Sequence, residues 1–430
     1  MRIAPLLATT LLAVASAQSA EFYVCAATGK GKAATKEEPA KDLGNLIPTL
    51  KPGDTVHIAE GVYTGRADCG ADMITVPVRI IGGYSADFAK RDPWGAHRTV
   101  LSGDNKAKNF DTGPRLAIDC QKFKERGEFT ILVDGVIVDD GARNRYSGKE
   151  SKIERKANPA AGEMPTPERG AIRVVAPANG LATCSVTVQN CAVVNSAPTQ
   201  GAISAWGYAK SVMTIRNNLV VNVTGNGIDC LSTYHPKDGK DLPGYTVTDN
   251  TVLYVWKYDS YGDIGGNGLQ FDTDITAKVS GNAIASADIA LVNNAKRSKD
   301  VLLKDNCLNL GGRCAYLEFS TAIDFKDLAD TPQNLARESG GNVDTAIVAG
   351  MPTAWAERYA ARTVINRNAV EAGVKADDSR ANALRSILGL PLQAADVKSD
   401  SDIWLHRLPL DAALAVGTSK FHGKFGCAKP

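Results

Sequence analysis

The side chains best suited to chemistry in this sequence lie near its middle. Asp229 is followed by His235 in the next loop, and Asp272 and Asp274 come one strand pattern later. A pair of carboxyl groups can act as the acid and the base of a hydrolysis, and a histidine can remove a proton beside a carboxylate. We therefore take Asp229, His235 and Asp272 as the candidate catalytic residues.

The strand pattern predicts that these carboxylates share one face. Short runs rich in Val and Ile alternate with Gly, Asn and Asp, which is typical of β-strands whose successive side chains point to opposite faces. If the Ile and Leu residues of each run point inward, the remaining positions form two outward columns. The first column is Arg173, Ser204, Asp229, Gln270, Ala290 and Tyr316, and the second is Val175, Trp206, Leu231, Asp272, Val292 and Glu318.

Hydrolysis is one chemistry that this arrangement permits. Asp229 and Asp272 are expected on adjacent strands and two residues apart in register. With ~4.8 Å between strands and ~3.3 Å per residue, their backbones would lie about 8 Å apart. Inverting glycosidases hold their two carboxyl groups roughly 6.5–9.5 Å apart, so the pair fits that mechanism.

β-Elimination from a uronic acid is the second chemistry, in which a base removes the C5 proton while the sugar carboxylate is neutralised. His235 is the candidate base. Asp272 and Asp274 are candidate oxygen ligands for a hard cation, with Ca²⁺ as the candidate cofactor. Aromatic and polar side chains in one groove are typical of a site for an extended sugar chain. The candidate substrate-binding residues are Arg173, Trp206, Tyr234, Lys237, Lys257, Tyr258, Gln270, Tyr316 and Glu318.

A repeat positions these strands. The pattern apolar-x-x-Asn-x-apolar recurs around Asn218, Asn250, Asn282 and Asn306, with a looser copy around Asn190, at spacings of 28, 32, 32 and 24 residues. A constant core pattern with variable spacing is typical of a coiled strand solenoid. Asn suits the corners because it tolerates left-handed backbone geometry and can hydrogen-bond to its equivalents in neighbouring coils. A β-sandwich, the alternative fold, requires no such recurring corner residue.

Three earlier segments combine short strands and tight turns in the same way. They are Gly53 to Tyr63 (GDTVHIAEGVY), Ile81 to Tyr84 (IGGY) and Leu101 to Asp104 (LSGD). With the Asn corners and a closing segment from Trp404 to Gly417, they resemble the right-handed parallel β-helix proteins of the pectate-lyase-like superfamily. The resemblance implies an all-β fold: a right-handed parallel β-helix solenoid with a partly helical C-terminal capping region.

That architecture hosts lyases, hydrolases, epimerases and non-catalytic surface proteins, so it does not by itself select an activity. The combined Asn-Thr-Asp, Asp-Asp and Gly-His-Gly signature of polygalacturonase-type hydrolases does not occur in this chain.

The ends of the chain predict export. Residues 1–20 have the pattern of a signal peptide, with Arg2, an apolar stretch too short to cross a bilayer, and small residues at Ala15-Ser16-Ala17. We expect residues 21–328 to form the β-helix and 329–430 to form the capping and closing segment. The protein is then secreted or periplasmic, without a membrane span, and we expect a monomer.

The composition of the chain narrows the classes of molecule that it could bind. The formal net charge is +2, from 49 Lys+Arg and 47 Asp+Glu, which argues against a nucleic-acid binder with a concentrated basic face. The 9 Cys of an exported chain favour structural disulfides, with Cys307 and Cys314 close enough to clip one loop.

The expected partner is a polysaccharide. We expect a polysaccharide lyase acting on a uronic-acid-containing glycan. The alternatives are an inverting glycoside hydrolase and a non-catalytic carbohydrate-binding or surface protein. The outward columns change residue type at each coil. This favours a binding or catalytic site, because an adhesin more often carries repeated Thr or Asn ladders on its outer face.

Overall fold

The repeated strand pattern folds into a parallel β-helix in which successive strands join three sheets in turn. The computed structural model describes residues 19–31, 33–65, 71–103, 114–142, 170–196, 200–256, 266–287, 289–297, 300–308, 314–319, 321–323, 409–418 and 425–430. The expected all-β solenoid is therefore confirmed. Residues 329–408 of the predicted capping and closing segment, and residues 1–18 of the predicted signal peptide, lie outside these residues.

The described strands are numbered in chain order and fall into sheets A, B and C. Sheet A contains β1 (Glu21–Val24), β2 (Thr55–Ala59), β5 (Arg79–Tyr84), β8 (Gly127–Asp134), β11 (Ala182–Gln189), β14 (Val212–Arg216), β17 (Gly244–Thr248), β20 (Thr276–Ser280) and β23 (Val301–Lys304). Sheet B contains β3 (Gly61–Tyr63), β6 (Thr99–Leu101), β9 (Val136–Asp139), β12 (Ala192–Val194), β15 (Leu219–Thr224), β18 (Thr251–Trp256), β21 (Ala283–Ala287) and β24 (Cys307–Leu308). Sheet C contains β4 (Asp72–Ile74), β7 (Leu116–Asp119), β10 (Ile172–Val175), β13 (Gly201–Gly207), β16 (Asn226–Ser232), β19 (Asn267–Thr273), β22 (Ile289–Ala295), β25 (Cys314–Glu318) and β26 (Thr321–Ile323).

Helical elements are short in the described part of the chain. Three 3-10 turns span Leu43–Asn45, Ile47–Thr49 and Asp140–Ala142, and helix α1 spans Leu410–Thr418. Neighbouring strands pair in parallel, apart from β26, which returns antiparallel to β25. Leu43, Leu46 and Leu50, from the segment before β2, are buried in the main core. That segment therefore covers the first coil.

The core is built from columns of inward side chains. In sheet C, Ile172, Ile203, Ile228 and Leu269 lie in register on consecutive strands, and each is completely buried. Because a strand alternates its faces, every second residue of these strands points away from the core. The sheet thus presents an outward surface whose side chains are fixed by the packing beneath it.

One corner of the solenoid is fixed by a ladder of buried asparagines. The Nδ2 atoms of Asn218, Asn250 and Asn282 each donate to Oδ1 of the next asparagine at 2.9 Å, ending at Asn306. This arrangement confirms the predicted corner. The looser copy is displaced by one residue, because Cys191 occupies the ladder position and its N–H donates to Asn218 Oδ1 at 3.0 Å. Asn190 precedes it in the left-handed region, with φ 54°.

A second ladder at the corner between sheets B and C was not predicted. Asn222 Nδ2 donates to Asn195 Oδ1 at 2.9 Å, and Asn195 Nδ2 donates to Asp139 Oδ1 at the same distance. Asn195 and Asn222 both have φ 58°. On the next coil the left-handed residue is Tyr254, which interrupts the Asn pattern in the sequence.

The C-terminal segment lies along the side of the solenoid. Helix α1 contacts β12 and β15 of sheet B, where the outward residues Leu219 and Val221 are completely buried. The final residues then cross several coils. Ala428 N donates to Asn217 Oδ1 at 2.7 Å, and Gly426 N donates to Gly281 O at 2.7 Å. The helical part of the closing segment therefore covers an apolar sheet face.

The expected disulfides do not form at five of the described cysteines. Cys25, Cys120, Cys184, Cys191 and Cys230 are buried thiols. Burial raises the pKa of Cys184 and of Cys191 to about 12, so both stay protonated and pack as small apolar groups. The predicted Cys307–Cys314 clip lies outside the described residues, because the Cys314 side chain is not among them.

Candidate active site

The outward face of sheet C carries most of the residues predicted for the site. Arg173 pairs with Ser204, Ser204 with Asp229, and Asp229 with Gln270 on successive strands. Trp206 lies two residues farther along β13, beside Leu231. The predicted parity is therefore correct from β10 to β19.

The parity fails at β25. Tyr316 pairs with the inward Leu291, and Glu318 pairs with Asn293, so both point inward rather than outward. Tyr316 is completely buried, and its hydroxyl accepts a hydrogen bond from Asn293 Nδ2 at 2.8 Å and donates to Glu318 Oε2 at 3.3 Å. These two residues belong to the interior, and Leu317 takes the outward position. On β22, Gln270 pairs with Val292 instead of Ala290, a shift of two residues that keeps Gln270 outward, and Ala290 lies in the main core.

Asp229 is an outward residue that is nevertheless buried, with 3% of its surface exposed. Burial is the main cause that raises its pKa from 3.8 to about 8, and the neighbouring Asp272 carboxylate adds to the shift. A hydrogen bond from the backbone N–H of Gly201 acts in the opposite direction. Its Oδ1 has no hydrogen-bond partner among the described residues. The carboxyl is therefore largely protonated at neutral pH.

Glycine at position 201 makes this arrangement possible. A Cβ atom there would lie 2.4 Å from the Asp229 Cβ atom and 2.7 Å from the Ile203 carbonyl oxygen. Such contacts are far below van der Waals distance, so only glycine lets the backbone N–H approach the carboxyl. The glycine that opens β13 thus has a local steric reason.

Asp272 is the more accessible carboxyl of the pair. It is half-buried, and its Oδ1 accepts the N–H of Thr273 at 2.6 Å. Burial raises the pKa of Asp272, whereas that hydrogen bond and the charge of His235 lower it. Since Asp229 pairs with Gln270, Asp272 stands two residues along the neighbouring strand. The register keeps the expected backbone separation of about 8 Å.

His235 is held by a buried carboxylate. Its Nδ1 lies 2.9 Å from Asp274 Oδ2, and the other oxygen, Oδ1, lies 3.5 Å from Lys296 Nζ. The Asp274 side chain is 5% exposed, whereas that of His235 is 56% exposed. The contact with Asp274 fixes the imidazole orientation and leaves Nε2 as the nitrogen free to exchange a proton.

Trp206 and Arg173 form a stacked pair. The Arg173 guanidinium carbon lies 4.3 Å from the Trp206 ring centroid, and Arg173 Nη2 lies 3.4 Å from Asp119 Oδ2. Arg173 is 2% exposed, so it supports the indole and is not an open contact for a sugar. Trp206 is half-buried, with Nε1 donating to Ser204 Oγ at 2.8 Å. Part of its ring therefore remains accessible.

The remaining predicted contacts differ in accessibility. The Tyr234 ring lies 5.1 Å from that of Tyr208, and both are half-buried, while Lys237 is exposed. Gln270 Oε1 accepts from Asn267 Nδ2 at 3.1 Å. Lys257 and Tyr258 lie outside the described residues.

The predicted metal ligands do not form a suitable cation site. One oxygen of Asp274 contacts His235 and the other contacts Lys296, and Asp272 Oδ1 accepts a backbone N–H. Within the described residues, no group of three or more His, Cys, Asp or Glu is placed to hold a metal. Ca²⁺ takes six to eight oxygen ligands, so this donor set does not fit it.

Lys296 is a charged neighbour of the candidate site that sequence reasoning missed. Its backbone N donates to Thr273 O at 2.8 Å, so it follows β22 in the row that contains Asp274. The sequence signal was an acidic residue, Asp274, and a basic residue, Lys296, at equivalent positions of consecutive coils. It becomes visible only after the strand register is known.

Comparison of the chain with protein-family models, with curated proteins and with solved structures finds no match. Within the described residues, no helix is long and apolar enough to cross a membrane. Function is therefore inferred from the fold and from the geometry of sheet C.

Proposed function

We propose that this protein cleaves a uronic-acid-containing glycan by β-elimination on the outward face of sheet C. The observation that carries the proposal is the exposed imidazole of His235, held through Nδ1 by the buried carboxylate of Asp274 at 2.9 Å. A neutral imidazole fixed in this way is a competent general base. His235 is thus the group that removes the C5 proton.

The proposed step balances without a metal ion. Nε2 of His235 takes the C5 proton, and the electron pair of the C5–H bond forms the C4=C5 double bond. The C4–O4 bond breaks, and the departing oxygen takes a proton from water. The imidazolium then returns its proton to solvent. Asp272, whose pKa responds to the charge of His235, stabilises the imidazolium while it exists.

The neutral form of Asp229 suits an acidic substrate. At neutral pH its protonated carboxyl adds no negative charge beside Asp272, so an anionic sugar meets less repulsion. The half-buried rings of Trp206, Tyr208 and Tyr234 supply apolar faces for sugar C–H groups along the same surface. An extended glycan lying across the coils would contact both the carboxyl groups and the aromatic rings.

Inverting hydrolysis is the second candidate, and one specific observation favours it. Asp229 is proton-bearing and Asp272 is the more acidic neighbour, at a backbone separation of about 8 Å. Two carboxyl groups whose pKa values are pushed apart are typical of an acid and base pair. Under this mechanism Asp229 would protonate the glycosidic oxygen and Asp272 would activate water.

The wider identity belongs to the same proposal. The coil pattern and the Asn corners support membership of the pectate-lyase-like β-helix superfamily, and the N-terminal segment supports export to the periplasm or beyond. A non-catalytic carbohydrate-binding protein would keep the aromatic surface and lack turnover.

The test is a screen of purified protein against acidic and neutral polysaccharides, with and without Ca²⁺. Elimination gives a product that absorbs in the ultraviolet through its C4=C5 double bond. Reducing ends without that absorbance would indicate hydrolysis. Binding without either product would support the non-catalytic alternative, and equal rates with and without Ca²⁺ would agree with the donor set seen at Asp272 and Asp274.

A further inference from the structure

One carboxyl group contacts a histidine and a lysine side chain at the same time. Oδ2 of Asp274 contacts His235 Nδ1 at 2.9 Å, and Oδ1 contacts Lys296 Nζ at 3.5 Å. Because both oxygens belong to the same carboxyl, the imidazole and the ammonium are neighbours across that group. The Asp274 carboxylate is therefore the centre of a small cluster of three charged or titratable groups.

Three consecutive coils build this cluster. The Thr273 hydroxyl accepts the N–H of Ser232 at 2.8 Å, and the Thr273 carbonyl accepts the N–H of Lys296 at 2.8 Å. The loop that carries His235 begins beside Ser232, so each coil contributes one member of the cluster. These two hydrogen bonds to Thr273 therefore fix the relative heights of the base, the carboxylate and the ammonium.

Lys296 keeps an accessible charge despite this contact. Its side chain is 66% exposed, against 5% for Asp274, so most of the ammonium faces solvent. Nearby cations are engaged differently. Lys240 pairs with Asp238 at 3.7 Å, and Arg297 donates to the carbonyl of the same residue at 3.4 Å. Among these three cations, Lys296 is the one that shares a carboxylate with the candidate base.

β-Elimination from a uronate requires a base and a cationic group close to each other. The C5 hydrogen and the C6 carboxylate of a uronate sit on neighbouring atoms, so the base and the group that neutralises the carboxylate must be close together. Neutralisation acidifies the C5–H bond by stabilising the charge that develops on the carboxylate. An ammonium beside an imidazole meets both needs without a metal ion.

We propose that Lys296 binds the carboxylate of the uronate whose C5 proton His235 removes, and so sets the preference for free over esterified acids. This inference rests on the proposed elimination at the same site. In it, Asp274 acts as a positioning residue for both partners. Lys296 is the residue that distinguishes the acidic substrate from its neutral derivative.

The test compares two forms of one polymer. The wild-type protein and the variants Lys296→Ala, Lys296→Arg and Lys278→Ala are assayed on polygalacturonate and alginate. The polymer that is cleaved is then assayed in its methyl-esterified form. Lys278 is an exposed lysine on sheet A and serves as the matched control. The rate of ultraviolet absorbance gives kcat and KM for each substrate.

Lys296→Ala should lower kcat/KM on the free acid by about 10²-fold and change it little on the ester. Lys296→Arg should restore most of the loss, and Lys278→Ala should match the wild type. Equal losses on both polymers, or no loss on either, would overturn the role of Lys296 while leaving elimination intact. A wild-type protein that forms no unsaturated product from any uronate would overturn the proposed function itself, and this inference with it.

Discussion

Nδ1 of His235 lies 2.9 Å from Oδ2 of Asp274, a carboxylate whose side chain is 5% exposed. The two residues come from different coils, yet stacking of the strands that precede them brings them together. A buried carboxylate behind an exposed imidazole holds the ring in one orientation and stabilises the protonated form after it accepts a proton. This pair is the centre of the proposed site.

Replacement of Asp274 by Asn should therefore impair turnover more than binding. Asp274→Asn keeps the shape of the side chain but removes the charge that orients His235 and stabilises its imidazolium. We expect kcat to fall by about 10²-fold with a smaller change in KM, measured by steady-state kinetics on the substrate found in the screen. Asp87→Asn, at an exposed carboxylate far along the solenoid, is the control. An unchanged kcat would remove Asp274 from the mechanism.

The asparagine ladder should carry a large share of local stability. Asn250 donates to Asn282 Oδ1 and Ile215 O, and its Oδ1 accepts from the backbone and side chain of Asn218. Asn250→Ala leaves buried partners unsatisfied, so we expect a loss of about 3 kcal/mol in the free energy of unfolding. Urea denaturation measures it, with exposed Asn45→Ala as the control. Equal stabilities of the two variants would contradict the ladder's role.

The repeat explains why the fold was predictable. The corner asparagines recur because each forms a hydrogen bond with its equivalent on the next coil. The same residue type is therefore required at the same corner of every coil, at Asn218, Asn250, Asn282 and Asn306. The second ladder was missed because Tyr254 interrupts it after Asn222, so no repeated residue type marks that corner.

The site was less predictable because parity depends on register. Between β22 and β25 the alignment expected from sequence was wrong by one residue, which turned Tyr316 inward, since a slip of one residue moves a side chain to the other face. Alternation also says which side chains point away from the core, but not which of them are covered. Arg173 and Asp229 both point outward and are both buried.

Outward and inward aromatic residues on sheet C should differ sharply in their effects. Phe271 is completely buried in the core, so Phe271→Ala should cost about 3–5 kcal/mol of unfolding free energy. Trp206→Ala should cost about 1 kcal/mol, mainly through lost contact with Arg173, and should weaken polysaccharide binding. Thermal unfolding and a binding isotherm separate the two effects. Similar stability losses would mean that the indole belongs to the core.

The raised pKa of Asp229 predicts a pH-dependent stability. The folded protein keeps this proton up to about pH 8, whereas the unfolded chain releases it near 3.8. Between these values the folded state binds more protons, so its stability falls as pH rises, by up to about 1.4 kcal/mol per pH unit. The stabilisation that comes from keeping this proton is complete below pH 3.8, the unfolded value, and is lost as the pH rises through the folded value of about 8.

Asp229→Asn should flatten that slope, because an amide does not titrate. The free energy of unfolding, measured by urea denaturation across this pH range, should fall less steeply in the variant than in the wild type. Asp241→Asn, at an exposed carboxylate, should keep the wild-type slope. Parallel slopes for Asp229→Asn and the wild type would mean that Asp229 is ionised in the folded protein.

The most direct test of the proposed elimination is the rate of unsaturated product formed by His235→Ala and by Asp229→Asn on the uronate that the wild type cleaves. Elimination predicts that His235→Ala loses about 10²–10⁴-fold in kcat, because the base is gone. It also predicts that Asp229→Asn stays near the wild type, because a neutral side chain replaces a neutral carboxyl. The opposite pattern, with Asp229→Asn inactive and His235→Ala active, would contradict elimination and indicate acid-catalysed hydrolysis by the Asp229 and Asp272 pair.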